Sequence, residues 1–319
     1  MELYELSAGL WAIAVAAAAL FSLGGAFSNR LDILTHFAPI YALGGAIAII
    51  LQLIRGKGRA RWAMACGAAA ILAAGGLMAP EVVARVTAPT SAPRSQTLKI
   101  IELNLWSKNV DPAGTARWIA AQNPDIVVLE EVIGSTEVVP LYLRAAYPYQ
   151  TPESAPFEAT TFILSKTAPR DWGAYPSFDT FGRHSGAWAR FGTGVGSFTI
   201  VGVHAPWPVP PGRQQAHTAL LGYRLGAFDR NSVILAGDFN ATPWSFSLRR
   251  QDSLLGLQRR DHALASWSVR PYSRYKLWTP FPIMPIDHIY AGASWKTVSV
   301  ATGPKVGSDH LPIIAVLTR

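Results

Sequence analysis

Three apolar stretches free of Asp, Glu, Lys and Arg, residues 6–29, 33–54 and 62–80, occupy most of the first 80 residues. Each is close to the roughly 20 residues that a helix needs to cross about 30 Å of hydrocarbon. Ala, Gly and Leu dominate all three, and small side chains let helices approach closely in lipid. Trp11 and Trp62 stand near segment ends, where indoles favour the interface. A cleaved signal peptide would open with positive charge, whereas this chain opens with Glu2 and Glu5. Three such stretches joined by short loops are hard to bury in a soluble core. The expectation is a multi-pass membrane domain over residues 1–80 with three transmembrane helices, which excludes a single soluble domain.

Orientation follows from Lys and Arg. The loop before the third stretch carries Arg55, Lys57, Arg59 and Arg61, whereas the first loop has Arg30 alone beside Asp32. Short basic loops stay in the cytoplasm, so the N-terminus is expected to be cytoplasmic and everything after Pro80 extracytoplasmic. The single cysteine, Cys66, lies in the third stretch, so the exported part has no thiol to misoxidise. Residues 81–97 read as a linker rich in Pro, Ser and Thr.

Charge returns after the linker, and residues 98–319 read as a separate domain of short apolar runs broken by turn residues. Strands are predicted at 98–103, 125–129, 160–164, 187–191, 198–203, 233–236, 286–290 and 313–317. Helices are predicted at 112–122, with Asp111 as cap and Pro112 at its first position, and at 212–228. So many apolar strands interspersed with helices suit two packed sheets flanked by helices.

The acidic, amide and imidazole groups of this domain stand at strand ends: Asn104, Glu130 and Glu131, His204, Asp238 and Asn240, Asp287 and His288, Asp309 and His310. Strand ends feed one rim of a sheet, where sites are commonly built. Carboxylates with an amide and no cysteine suit a hard cation such as Mg²⁺, and histidines beside carboxylates suit proton transfer at a phosphate. Taken singly, Gly-Asp238-Phe-Asn240 could be a capped turn, Asp309–His310 a capped loop and Glu130–Glu131 a solvated turn.

The ordered set is more specific. Leu-Asn104, Pro-Asp-Ile-Val-Val-Leu-Glu-Glu131, Val-His204, Gly-Asp238-Phe-Asn240, Ile-Asp287-His-Ile and Ser-Asp309-His310 resembles the endonuclease/exonuclease/phosphatase superfamily over about residues 98–319. Arg213-Gln-Gln215 resembles its usual continuation after the histidine loop. The resemblance implies an α/β fold, a four-layer α/β/β/α sandwich, and metal-dependent hydrolysis of a phosphoester with Mg²⁺ or Mn²⁺ as cofactor. It implies Glu131, Asn104 and Asp309 on the metal side, and Asp238 activating the attacking water. Asn240 and Arg213 would bind the substrate phosphate. His310, oriented by Asp287, would donate to the phosphoryl group, and His204 would stabilise the phosphate or protonate the leaving group. Two positions depart from the family's pattern. Glu130 stands where Gln is common, which suggests a supporting role, and Trp106 stands where some members carry a second acid.

The superfamily's site serves lipids, nucleic acids and small phosphates alike, so substrate class stays open. Arg249, Arg250, Arg259, Arg260, Arg270, Arg274 and Lys276 crowd one segment against Asp252 and Asp261. That segment could track a nucleic-acid backbone, rest on anionic lipid, or form a solvated helix face. Trp207, Trp244 and Trp278 lie near motif residues. The leading expectation is a membrane-tethered phosphodiesterase or phosphatase, for which a phospholipid head group is a plausible substrate and the lipid bilayer a partner; no obligate protein partner is inferred. An extracytoplasmic nuclease on DNA or RNA is the alternative, and a catalytically inactive scaffold the third reading.

Overall fold

The computed structural model describes residues 2–54, 60–152, 159–175, 185–269, 279 and 281–319. The basic loop 55–59, and Arg270, Arg274, Lys276 and Trp278 of the basic segment, lie outside the described residues.

The chain divides into two units. The first comprises Met1–Thr87 together with Pro208–Gly212 and Ala241–Arg250. Its helices are α1 (Glu2–Leu23), α2 (Asn29–Thr35), α3 (Ala38–Ile54) and α4 (Arg61–Thr87). Ala8–Ala26 and Arg61–Thr87 are each long and apolar enough to cross a membrane. The pair α2 and α3 makes a third span if taken as one, bent by 59° at its break. The continuous helix expected over 33–54 is therefore interrupted. Pro39 is the cause: it has no N–H to bond back toward residue 35, so the helix stops and restarts with proline in its first turn. Conversely, α4 runs past Pro80 to Thr87, because a lone proline removes only one bond from a long helix. Small residues set the packing: a Cβ on Gly45 would lie 2.5 Å from the carbonyl oxygen of Gly67.

The second unit is a two-sheet sandwich. Its elements are β1 (Thr97–Asn104), α5 (Pro112–Gln122), β2 (Ile126–Glu130), α6 (Val138–Leu143), β3 (Tyr149–Thr151), β4 (Phe162–Ser165), β5 (Asp171–Tyr175), β6 (Gly186–Phe191), β7 (Phe198–His204), α7 (Arg213–Leu225), β8 (Val233–Asp238), α8 (Phe246–Leu255), β9 (Gln258–Arg259), β10 (Asp287–Ala291), β11 (Lys296–Thr302) and β12 (Ile313–Thr318). The first five residues of α8 and its last five fall in different units. One sheet runs β11-β12-β1-β2-β4-β3 and the other β5-β6-β7-β8-β10-β9. Each has one parallel pair at its heart, β1 with β2 and β7 with β8, and the other pairs are antiparallel.

Alternation along the strands builds two cores. Ile100, Ile126, Val128 and Ile163 of one sheet pack with Ala189, Ile200, Ile234 and Ile289 of the other. The opposite faces of the first sheet's strands, through Ile101, Leu103, Val127 and Leu129, pack on Ala116 and Ile119 of α5 and Leu143 of α6. Asp111 caps α5 as expected, accepting from the Gly114 amide at 2.8 Å. The edge strand β11 escaped prediction because its residues alternate without a continuous apolar run, and α8 because its charged face masks its period. The start predicted at Thr160 shifts to Phe162 because the Thr160 and Thr161 amides donate instead to Ser185 Oγ.

Candidate active site

The two parallel pairs place the motif residues. Parallel neighbours end at the same rim: Asn104 is in register with Glu130, and His204 with Asp238. Asp287 opens β10 directly opposite Asp238. Gly237 makes the approach of β7 and β8 possible, since a Cβ there would fall 1.8 Å from the Val203 carbonyl oxygen. Beyond the strand ends the chain turns sharply, and Trp106, Glu131 and Asn240 all take positive φ, 57°, 52° and 49°. Such conformations cost roughly 1–3 kcal/mol each and persist where the surroundings over-determine them.

Asp238 is the hub. Its Oδ2 accepts from Asn104 Nδ2 at 3.0 Å and Asn240 Nδ2 at 3.3 Å, and its Oδ1 accepts the Asn240 amide at 2.8 Å. The imidazole Nε2 atoms of His204 and His310 stand 3.7 and 3.9 Å from Oδ2. Gly-Asp-Phe-Asn is thus a capped turn and a meeting point of the site together. Burial and the neighbouring Asp287 push the Asp238 carboxyl up to about 7, although His310, the Asn240 amide and Asn104 pull the other way.

His310 bonds through Nδ1 to both Asp287 oxygens, at 3.0 and 2.8 Å. Burial alone would lower its imidazole, but Asp287, with Asp238 and Asp309 nearby, holds it well above the usual range. Asn104 Nδ2 also reaches Glu131 Oε1 at 3.4 Å, and the Ser107 amide donates to Glu131 Oε2 at 2.8 Å. Burial works to raise the Glu131 carboxyl, yet His204, the Ser107 amide, His310 and Asn104 together hold it below the ordinary value. A cavity of about 130 Å³ adjoins it, lined also by Ser107, Ile133, Gly134 and Thr160.

Asp309 sits beside this set, its Oδ1 3.9 Å from His310 Nε2. Arg213 opens α7, but the residue of that turn which reaches the Asp238 loop is Gln214, whose Nε2 donates to the Asn240 and Pro206 carbonyls at 2.8 and 3.1 Å. Ser308, part of the Ser-Asp-His motif but given no role in the sequence reading, has one here. Its Oγ donates to the Asn104 carbonyl at 2.7 Å and accepts the His310 amide at 3.0 Å, tying the two strand ends together. The Ser-Asp-His spacing was the available signal.

Glu130 is no solvated turn residue. It is fully buried, as is Glu102 two residues before Asn104. Burial pushes both carboxyls well above the ordinary range, and Asp287 adds to each. Both therefore favour the protonated form more than an ordinary carboxyl does, which limits the negative charge under the site. A second buried pair, His288 Nδ1 with Asp261 Oδ2 at 2.6 Å, braces the start of β10.

Among the described residues, the arginines of the basic segment are engaged internally. Arg259 is paired with Asp252 at 3.3 Å, and Arg260 caps the carbonyls of Ala291, Gly292 and Trp295. Arg249 donates to the Leu77 carbonyl at 2.6 Å, and Arg250 reaches Asp32 at 3.4 Å. Trp207 is exposed and Trp244 buried.

Two facing α/β sheets, with carboxylates, an amide pair and two imidazoles converging at one rim, define a hydrolase of the deoxyribonuclease-like sandwich class. Residues 101–310 match the sequence profile of the Endonuclease/Exonuclease/phosphatase family, and the chain belongs to that family of metal-dependent phosphoester hydrolases. Its fold is similar to sphingomyelinase C from Streptomyces griseocarneus, at 20% identity and a TM-score of 0.54 over 70% of this chain and 100% of that one. It is also similar to Danio rerio TDP2 complexed with a single-strand DNA product, at 16% identity and TM-score 0.57 over 70% and 100%. A third likeness is Staphylococcus aureus beta toxin with bound magnesium ions, at 14% identity and TM-score 0.52 over 70% and 100%. No curated protein sequence matches the chain.

Proposed function

We propose that this protein is a membrane-tethered phosphodiesterase or phosphatase, dependent on Mg²⁺ or Mn²⁺, whose sandwich faces the extracytoplasmic side. The observation that carries the reading is the convergence on Asp238: two amides bond it and two imidazole Nε2 atoms stand within 4 Å. Water attack on phosphorus needs a base, donors for the developing charge and a proton for the leaving oxygen. Asp238, with its carboxyl near 7, is poised to take the proton from water at neutral pH. Asn240 and protonated His310 donate to phosphoryl oxygens, Asp287 fixes the His310 ring, and His204 stands where it can protonate the departing oxygen. Arg213 is kept as a phosphate contact for larger substrates.

The donor set fits a hard divalent cation. Each Glu131 oxygen accepts a single hydrogen bond among the described residues, which leaves lone pairs for a metal. Asn104 and Asp309 would complete that side, and Asp238, Asp287 and His310 offer further ligand atoms within 4.8 Å of one another. Such an ion supplies charge stabilisation at the phosphoryl oxygens and orientation of the nucleophile.

The apolar helices favour a substrate presented by a bilayer, a phospholipid head group before nucleic acid, and the engagement of Arg249, Arg250, Arg259 and Arg260 in internal pairs supports that preference. The full chain in detergent, assayed with Mg²⁺ or Mn²⁺ against phospholipid vesicles, plasmid DNA, RNA, inositol phosphates and a chromogenic phosphodiester, is expected to hydrolyse the lipid and chromogenic substrates, with loss of activity in EDTA. Cleavage of DNA with a steep salt dependence would shift the assignment to a nuclease, and silence on every substrate with both metals would overturn it. Orientation has its own check. A reporter fused after Arg319 is expected to be active only when it works outside the cytoplasm, as the basic loop at 55–61 dictates; cytoplasmic activity would reverse the topology.

A further inference from the structure

Polar side chains buried among apolar helices are costly unless they are paired, and they mark function. Asp32 and His36 are 3% and 5% exposed, and within the helical unit both are spent on one short segment, Ala241–Arg250. Asp32 Oδ1 accepts the Phe246 amide at 2.8 Å and its Oδ2 the Ser247 amide at 2.7 Å. These are first-turn N–H groups of α8, which have no partner within the helix and carry the positive end of its dipole. Arg250 Nη2 closes on the same carboxylate at 3.4 Å. His36 Nδ1 meets the Thr242 amide at 3.2 Å and lies 3.1 Å from Thr242 Oγ1. Trp244 packs with Ala38, Ala74 and Leu77. Gly25 permits the close fit, since a Cβ there would lie 2.8 Å from both Asp32 Cα and a Phe246 ring carbon.

The clamped segment begins one residue after Asn240. Its first fixed point, Thr242, is only four positions from Asp238, and between them Asn240 is held at φ 49°. A left-handed asparagine with so short a tether has little freedom once both ends are fixed.

Resting on the reading of Asp238 and Asn240 as catalytic, we propose that Asp32 and His36 are positioning residues: they hold the loop that follows the catalytic turn, and so make hydrolysis depend on the arrangement of the helical unit. Their loss acts on geometry, leaving the chemistry of the reacting groups in place. A misplacement of the order of 1 Å at reacting groups can cost about 100-fold in rate.

The test uses the full chain in detergent micelles with Mg²⁺ and a chromogenic phosphodiester. Asp32→Ala and His36→Ala are expected to lower kcat about tenfold or more with KM within about threefold. Asp32→Asn, which keeps one acceptor, recovers most of the rate, and the pH–rate profile keeps its wild-type shape. Thr242→Val removes the hydroxyl half of the loop's contact with His36, leaves the amide half and does not touch the helices, and it is expected to lower kcat in the same direction by a smaller factor; with Asp32→Asn it decides the matter if Asp32→Ala fails to fold. Amide exchange at residues 242–248 is expected to speed up in Asp32→Ala, His36→Ala and Thr242→Val. Wild-type kcat together with unchanged exchange in the folded variants overturns the proposal. A wild-type protein inactive on every substrate would sink the hydrolase reading instead, while exchange at these amides would still report whether the clamp exists.

Discussion

Asp238→Ala is expected to lower kcat by about 100-fold or more on whichever phosphoester the protein hydrolyses, with thermal stability of the sandwich preserved or raised, and His310→Ala by a similar factor, with some loss of stability because Asp287 loses its buried partner. The alanine at 238 removes the proposed base and also releases the Asn104 and Asn240 side-chain amides that Asp238 holds at 3.0 and 3.3 Å, so the proposed metal-side amide and the proposed phosphate donor both lose their orientation with it. Asp238→Asn separates the two effects, since it keeps the shape and loses the base. At position 310 the alanine removes the cation that Asp287 maintains and leaves that carboxylate buried. The double variant is expected to cost much less than the product of the single losses, because groups that act as one unit are not additive. Steady-state kinetics on the chromogenic phosphodiester measure all four. Activity of either alanine variant within about threefold of wild type would remove that residue from the mechanism.

The second large effect is on stability against pH in EDTA. A carboxyl whose folded value is raised holds a proton that the unfolded chain has released, so stability falls as pH rises from the unfolded value to the folded one. For Asp238 that window runs from 3.8 to about 7, roughly three pH units at about 1.4 kcal/mol each, or ~4 kcal/mol. Glu102 and Glu130, also raised by burial, add to the loss with the same sign. His310 contributes in the same direction, because a raised imidazole stabilises the fold below its unfolded value and that contribution is lost as pH climbs through its folded one. Glu131 and Asp261 are held low and oppose this only in the acid range. The metal-free sandwich is therefore expected to melt roughly 10 °C lower at pH 8 than at pH 5, with Mg²⁺ restoring much of the difference at pH 8 by binding the native state. Asp238→Asn flattens the slope. A melting temperature independent of pH between 5 and 8 would show that the carboxyls are not stacked as described.

Much of this was legible in the residues. The strands that carry the site are continuous apolar runs ending in Asn104, Glu130, His204 and Asp238, and periodicity found them because buried parallel strands have no polar alternation to blur. The motif residues converge for the same reason: parallel neighbours end at one rim. Other features depend on pairing between distant segments. Ser308 and Gln214 are ordinary polar residues until Asn104 and the Asp238 loop are brought beside them. Glu102 sits in an apolar strand with no neighbour in sequence to betray that burial, Asp287 and Glu130 raise its carboxyl. The basic cluster left its role open because charge composition does not reveal which guanidinium groups are spent on backbone carbonyls, as Arg260 is.

The helical unit is not a contiguous stretch of sequence, since it borrows Pro208–Gly212 and Ala241–Arg250 from inside the hydrolase region. A chain begun at residue 97 would therefore not be a clean excision. It would keep Trp244 and Phe246 after deleting the Ala38, Tyr41, Ala74 and Leu77 that cover them, and would present that patch to water. Insolubility of such a fragment would then report a severed packing unit and say nothing of whether the hydrolase fold is sound.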